Sequence, residues 1–281
     1  MRKVTGLIGY PLGHSVSPAM HNAAFKKLGL DYEYVPFEVN PEDLAEALKG
    51  LRALHVAGFN VTIPHKEAIV PLLDEVTKLA RVIGAVNTVI NQEGKLVGYN
   101  TDGAGFIESL KEDAKIDPKG KAVVVLGAGG ASRAVVVMLA ESGAKSIVLS
   151  DIEADKANKL SDYVDSYFGN AGGSVPPNSP ELQRALDQAD ILVNTTPVGM
   201  KPKTKVSPLA KQITLPKKLL VYDLVYNPAQ TQLLKDASAA GCKTCSGLGM
   251  LVRQGAIAFT LWTGEEAPIK DMYQAAEKAL Y

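Results

Sequence analysis

With 281 residues, 46% of them apolar and 21% charged, the chain has the balance of an ordinary soluble globular protein and exceeds the usual size of one hydrophobic core, so two domains are expected. Thirty Lys plus Arg offset thirty Asp plus Glu, which excludes a global field toward nucleic acid or a membrane surface and favours a small-molecule partner. No run of about 18 apolar residues can span a bilayer, and Gly6, Gly9, Pro11 and Gly13 interrupt the apolar stretch behind the basic N-terminus, so a cytoplasmic location without a signal peptide is expected.

In chain order, residues 4–9 read as a short buried strand. Residues 18–28 follow as a helix with Ser17 as N-cap and Pro18 at the first helical position. Ser15 and Ser17, two hydroxyls near that helix start, suit a carboxylate, with ordinary capping as the other explanation for Ser17. A strand at 32–39, a helix at 41–51 capped by Asn40 and a strand at 56–61 continue a β-α alternation, which implies a parallel sheet.

Asn60-Val61-Thr62-Ile63-Pro64-His65-Lys66 comes directly after that strand; Lys66, taken alone, reads as a surface lysine. Asn87 lies inside the apolar run 85–90, where a buried amide needs partners. Residues 86–91 and 95–99 flank a turn ending in Gly94, a hairpin signature that makes the sheet mixed. In Gly98-Tyr99-Asn100-Thr101-Asp102-Gly103, Asp102 caps the next helix or offers a carboxylate. Together these groups make a pocket with one cation and one carboxylate available for proton transfer, suited to a hydroxylated, anionic substrate.

A second α/β series opens at 122–126 and continues through strands at 146–149, 191–194 and 219–223. The first strand meets Gly127-Ala128-Gly129-Gly130-Ala131-Ser132, and a helix follows to Ser142: the strand, glycine turn and helix of a dinucleotide site. Gly127 permits the turn, Gly129 lets backbone approach a pyrophosphate, and the helix start offers N–H groups. Ser132 stands at the third fingerprint position in place of Gly or Ala. Asp151, about 22 residues beyond Gly129, can accept from the adenosine ribose hydroxyls or cap the helix near Glu153. The stretch 169–180 reads as a mobile loop, and residues 250–262 and 268–280 read as helices that return to the first domain. Cys242 and Cys245 have C-x-x-C spacing without a second pair, and His14, His21 and His65 match no zinc pattern, so structural thiols and no metal are expected.

The chain resembles the shikimate dehydrogenase family over nearly its whole length. The resemblance rests on Gly9-Tyr10-Pro11-Leu12 with His14-Ser15-Val16-Ser17-Pro18 and His21-Asn22, on the segment from Asn60 to Lys66, and on Gly84-Ala85-Val86-Asn87-Thr88. It continues through Gly98 to Asp102, the glycine turn, Asn194-Thr195-Thr196-Pro197 with Gly199-Met200, Asp223 with Tyr226-Asn227-Pro228, and Gly249-Met250-Leu251 with Gln254-Gly255-Ala256. It implies an α/β fold with a substrate domain over 1–104 carrying a mixed, mainly parallel sheet, a Rossmann-type NAD(P)-binding domain over 105–248, and C-terminal helices over 249–281 that pack on the first domain.

The resemblance further implies that Ser15, Ser17 and Tyr226 hold the carboxylate of shikimate or 3-dehydroshikimate, that Asn60, Thr62, Asn87 and Gln254 bind its ring hydroxyls, and that Lys66 and Asp102 form the catalytic pair. The cofactor contacts it implies are Gly127, Ala128, Gly129, Gly130, Ala131, Asp151, Thr195 and Leu224, with Gly247 and Met250 near the nicotinamide. The family commonly ends its second dinucleotide-domain strand in Asn-Arg-Thr, whose Arg grips the 2'-phosphate of NADP; here Ser150-Asp151-Ile152 puts a carboxylate there, which favours NAD, although Lys156 could reach a phosphate. A quinate or dual quinate/shikimate dehydrogenase is the nearest alternative, Ser17 rather than Thr leaning toward shikimate. A non-catalytic metabolite sensor is the alternative of another class. A monomer or homodimer is expected.

Overall fold

The computed structural model describes residues 2–13 and 15–280; His14 lies outside them. The chain divides into two compact units, one made of Met1–Gly105 with Val252–Tyr281 and the other of Phe106–Leu251.

The first unit contains β1 (Lys3–Gly9), α1 (Ser17–Leu28), β2 (Tyr32–Glu38), α2 (Leu44–Ala53), β3 (Gly58–Val61), α3 (His65–Ala68), β4 (Glu75–Val76), α4 (Lys78–Ile83), β5 (Thr88–Gln92) and β6 (Lys95–Tyr99). Its six-stranded sheet runs β2-β1-β3-β5-β6-β4. β1 pairs parallel with β2 and β3, while β5 pairs antiparallel with β3 and β6, so the sheet is mixed. The second half of β1 is buried without interruption, as a central strand covered on both faces must be. The β5–β6 turn has positive φ at both Glu93 (52°) and Gly94 (93°), the backbone that matches a two-residue hairpin to strand twist.

One face of this sheet packs Ile8, Phe59, Val61, Val86, Val89 and Leu96 against Leu44, Leu48 and Leu51 of α2. Another cluster joins His21 and Phe25 of α1 to Phe259 and Trp262, whose indole N–H donates to the Val89 carbonyl at 3.0 Å. β2 is an edge strand, and the Asn22 side chain closes its exposed edge by bonding both the N–H and the carbonyl of Tyr34 (2.8 and 2.9 Å).

The helix α1 begins one residue earlier than the Ser17 cap implies. Val16 occupies the N-cap, no side chain caps, and the Ser15 hydroxyl oxygen accepts from the Ser17 N–H at 3.3 Å. Residues 41–43 form a 3₁₀ turn, not the start of α2, because the Asp43 N–H bonds the Asn40 carbonyl three residues back; the Asn40 side chain makes no cap bond.

The second unit contains β7 (Ala122–Leu126), α6 (Gly130–Glu141), β8 (Ser146–Ser150), α7 (Ala154–Phe168), β9 (Ala171–Ser174), α8 (Pro180–Gln188), β10 (Ile191–Asn194), β11 (Leu220–Asp223), α9 (Gln232–Ala239) and β12 (Lys243–Ser246). The chain passes between units within α5 (Asp102–Glu112) and α10 (Leu248–Thr263), and α11 (Ile269–Leu280) ends it. All six strands of the second sheet are parallel in the order β12-β11-β10-β7-β8-β9. Numbered within the unit that is 6-5-4-1-2-3, the doubly wound Rossmann order, whose reversal lies between β7 and β10.

The stretch 169–180, expected as a mobile loop, holds the edge strand β9, paired with β8 through a register shift between Ile147 and Leu149. Gly172 and Gly173 disguise it, since glycine has low strand propensity. Cys242 and Cys245 are free thiols, and Cys242 Sγ donates to the Pro216 carbonyl. Among the described residues no helix is long and apolar enough to cross a membrane, and no group of three His, Cys, Asp or Glu could hold a metal ion.

His21 is fully buried, and burial alone pushes its imidazole down to about 3. An unfolded chain binds that proton below about pH 6.5 while the folded one refuses it, so this contribution to stability is whole above pH 6.5 and is lost as pH falls toward 3. Going from pH 6.5 to 4.5 should cost roughly 2–3 kcal/mol through this group, at about 1.4 kcal/mol per unit. NMR should show the His21 ring neutral down to pH 4, and a His21→Phe variant should have a flatter urea-midpoint profile over this range. A ring titrating near 6 contradicts the assignment.

Candidate active site

In the first unit three segments next to strand ends bring their polar side chains together. Lys66, on α3 just beyond β3, is tied by its carbonyl to the Val86 N–H at 2.8 Å. Asn87 precedes β5, and Asp102 is the first residue of α5. Lys66 Nζ donates to Asp102 Oδ2 at 2.6 Å, with the two side chains 28% and 13% exposed, so solvent screens the pair only in part.

Asn87, buried, has an amide orientation that chemistry dictates. The Thr101 backbone N–H can only donate and meets Oδ1 at 2.7 Å, so the nitrogen lies at the other end. Nδ2 donates to Asp102 Oδ1 at 2.8 Å and to Thr101 Oγ1 at 3.0 Å. Asp102 thus receives one donor on each oxygen, Asn87 on Oδ1 and Lys66 on Oδ2. Its side chain is engaged there.

Asn60 continues the network. Its Nδ2 donates to the Asn87 carbonyl at 3.1 Å and to Thr88 Oγ1 at 3.0 Å, and its Oδ1 accepts from the Tyr34 hydroxyl at 2.8 Å. Gln254 of α10 places Oε1 3.4 Å from Asn87 Nδ2. It comes so close because Gly105 lies against its backbone: a Cβ at 105 would stand 2.6 Å from the Gln254 nitrogen. Lys66, Asp102, Asn87, Asn60 and Gln254 are therefore one hydrogen-bonded constellation. Ser15 and Ser17 stand together at the start of α1, and Thr62 directly follows β3 with its N–H on the Ile8 carbonyl. Tyr34, Thr88 and Thr101 join the same network; in the sequence Thr88 and Thr101 stand out only as neighbours of Asn87 and Asp102, and nothing there signals the Tyr34 hydroxyl. His65 is buried against the Val39 carbonyl at 2.7 Å, a structural contact.

In the second unit the glycine turn follows β7. Gly127 has φ +102°, and a Cβ there would stand 2.5 Å from Thr195 Oγ1, whose hydroxyl donates to the Leu126 carbonyl. Ser132 is buried and donates to the Gly127 carbonyl at 2.7 Å, so its hydroxyl closes the turn where the fingerprint has a third small residue. Asp151 Oδ2 accepts from the Ala128 N–H at 2.7 Å and Oδ1 from the Glu153 N–H at 2.8 Å. The N-cap of α7 is Glu153, so Asp151 braces the turn before that helix.

Gly129 is the N-cap of α6, no side chain caps that helix, and a Cβ on Gly129 would meet nothing within 4 Å. That open cradle, followed by Gly130 and the exposed Ala131 at a helix start, fits a pyrophosphate. Leu224 follows β11, with its N–H on the Asn194 carbonyl at 2.9 Å, and Gly247 lies directly against the Leu224 carbonyl. Buried Asp223 anchors this segment by accepting from Asn194, the Val225 N–H and Thr231; burial pushes its carboxyl above the ordinary range. Tyr226 is half-buried in the same segment and Met250 is buried in α10.

Residues 7–89 match the family description "Shikimate dehydrogenase substrate binding domain", and residues 247–277 match "Shikimate 5'-dehydrogenase C-terminal domain". A protein of Methanopyrus kandleri named shikimate dehydrogenase (NADP(+)) is 50% identical, covering 97% of this chain and 94% of its own. A crystal structure of a shikimate dehydrogenase in complex with NADP+ superposes with a TM-score of 0.93 at 43% identity, covering 100% of this chain and 96% of that one. Shikimate 5-dehydrogenase from Listeria monocytogenes, solved with shikimate and NAD, gives 0.93 at 38% identity, covering 97% and 96%.

Two glycine variants should separate packing from binding. Gly127→Ala forces a side chain into a positive φ and onto Thr195, and should lower stability by about 1–3 kcal/mol. Gly129→Ala, at φ −83° in open space, should leave the melting temperature unchanged while weakening dinucleotide binding at least tenfold by calorimetry. Undiminished binding in Gly129→Ala contradicts the cradle.

Proposed function

The chain belongs to the shikimate dehydrogenase family, and we propose that it interconverts 3-dehydroshikimate and shikimate with a nicotinamide dinucleotide. The observation that carries the reading is the 2.6 Å pair of Lys66 and Asp102, held in one unit with a polar constellation suited to a hydroxylated ring. The glycine turn, the start of α6 and Asp151 would hold the dinucleotide. When bound, it supplies a hydride at C4 of its reduced nicotinamide.

The chain's own residues handle the substrate and the proton. Ser15 and Ser17 orient the carboxylate, while Asn60, Thr62, Asn87 and Gln254 face the ring hydroxyls. Hydride addition to C3 turns the carbonyl π pair into a lone pair on oxygen, and that oxygen takes a proton from the Lys66 ammonium, leaving the neutral amine. In the oxidative direction the amine accepts the hydroxyl proton as hydride leaves C3. Asp102 keeps Nζ aimed, and Asn87 keeps Asp102 in place.

Lys66→Ala should lower kcat by about 10²–10⁴ with little change in shikimate affinity, as loss of an acid/base group does. Absorbance at 340 nm follows this directly. A large rise in KM at normal kcat would make Lys66 a binding residue, and absence of wild-type turnover would leave a metabolite sensor.

For the cofactor we infer a preference for NAD. Both Asp151 oxygens accept backbone N–H groups and keep lone pairs for ribose hydroxyls, whereas a 2'-phosphate would meet a carboxylate. The Lys156 ammonium, which could offset that, is paired with Glu153 at 2.6 Å. The names of relatives specify NADP(+), so the comparison is decisive when made on this chain. The ratio of kcat/KM for NAD over NADP should exceed one and fall at least tenfold in Asp151→Ser. A wild-type ratio at or below one refutes the preference.

A further inference from the structure

Tyr34 has no place in the reaction as described, yet its hydroxyl ends in the substrate constellation. We propose that Tyr34 is a positioning residue that holds in place Asn60 Oδ1, which the network leaves as a pure hydrogen-bond acceptor toward the substrate, so that the site requires a ring hydroxyl donating its hydrogen at that point. The inference rests on the shikimate reading above and deepens it.

The direction of every bond at Asn60 follows from groups that cannot reverse. The Asn87 carbonyl can only accept, so the Asn60 atom 3.1 Å from it is Nδ2. The second hydrogen of Nδ2 goes to Thr88 Oγ1 at 3.0 Å, which exhausts the donors. The opposite end is then Oδ1, and the Tyr34 hydroxyl at 2.8 Å must donate to it. What remains is one lone pair on Oδ1. A substrate hydroxyl meeting Asn60 therefore donates, and a carbonyl, ether or fluorine at that ring position finds only another acceptor.

Tyr34 is held rigidly enough to keep that oxygen in place. Its ring is 1% exposed and stacks on His21 with centroids 4.4 Å apart and planes 9° from parallel. Its backbone N–H and carbonyl are both bonded by the Asn22 side chain. The position of α1 is thereby passed to Asn60 through one phenolic hydrogen.

The test is Tyr34→Phe, which keeps the ring and removes that hydrogen, assayed with shikimate, 4-deoxyshikimate and 5-deoxyshikimate. Besides donating to Asn60 the Tyr34 hydroxyl lies within reach of Ser17, and among the described hydrogen bonds it meets neither Lys66 nor Asp102, so KM for shikimate should rise about tenfold with kcat within about threefold. The KM penalty should persist with one deoxy analogue and vanish with the other, the one lacking the hydroxyl that Asn60 receives. In an Asn60→Ala background, which reports on the same coupling, Tyr34→Phe should add no further rise in KM. A merely structural tyrosine would raise KM by one factor for all three compounds; that result, an unchanged KM, or a lower kcat at constant KM overturns the inference. Wild-type turnover of shikimate with a uniform factor sinks the inference alone, whereas no wild-type turnover sinks the functional reading and the inference with it.

Discussion

The Thr101 backbone N–H, by meeting Asn87 Oδ1 at 2.7 Å, sets the polarity of the hydrogen-bonded constellation in the first unit. An amide side chain can turn end for end, but a backbone donor cannot become an acceptor. Once Oδ1 is fixed, Nδ2 must face Asp102, which leaves the other carboxylate oxygen for Lys66. Buried networks of this kind stabilise only when every member is satisfied, because an orphaned group in a low-dielectric interior costs its full desolvation. The same economy of direction runs from the Asn87 carbonyl to Asn60 and on to Tyr34.

The second unit solves its turn by comparable means. The Ser132 hydroxyl bonds the Gly127 carbonyl and the Asp151 carboxylate bonds the Ala128 N–H, so side chains on either side of β7 hold a backbone that glycine merely permits. Ser132 therefore weakens the fingerprint only as a string of letters. As a structural element it draws the first turn of α6 onto the end of β7.

The central strands β7 and β10 are legible in the sequence to the residue, since Val123-Val124-Val125 and Ile191-Leu192-Val193 are continuous apolar runs and both strands are buried throughout or nearly so. The edge strand β9 is not, because its glycines are what a loop also contains. Helix starts shift by a residue or more where a backbone bond rather than a side chain closes the first turn, as at Asn40 and Val16. Within the site, Lys66 alone resembles a surface lysine. Its partner stands 36 positions away, and only the folded chain brings the two together. The Tyr34 hydroxyl is hidden in the sequence for the same reason: its position in β2 marks the residue as buried, while the use of its hydroxyl depends on a side chain 26 positions on.

The two units do not become complete in the order in which their residues are made. Phe106–Leu251 is continuous, so every contact within it is available before the end of the chain exists. The unit that begins first finishes last: Trp262, which takes the Val89 carbonyl, and Gln254, which closes on Asn87, both belong to the terminal segment Val252–Tyr281. Because nascent domains fold as units once their residues have left the ribosome, the residues that hold the glycine turn are available to the growing chain before those around Lys66 are complete. A prematurely terminated chain would thus carry a whole second unit and a first unit lacking the partners of Val89 and Asn87.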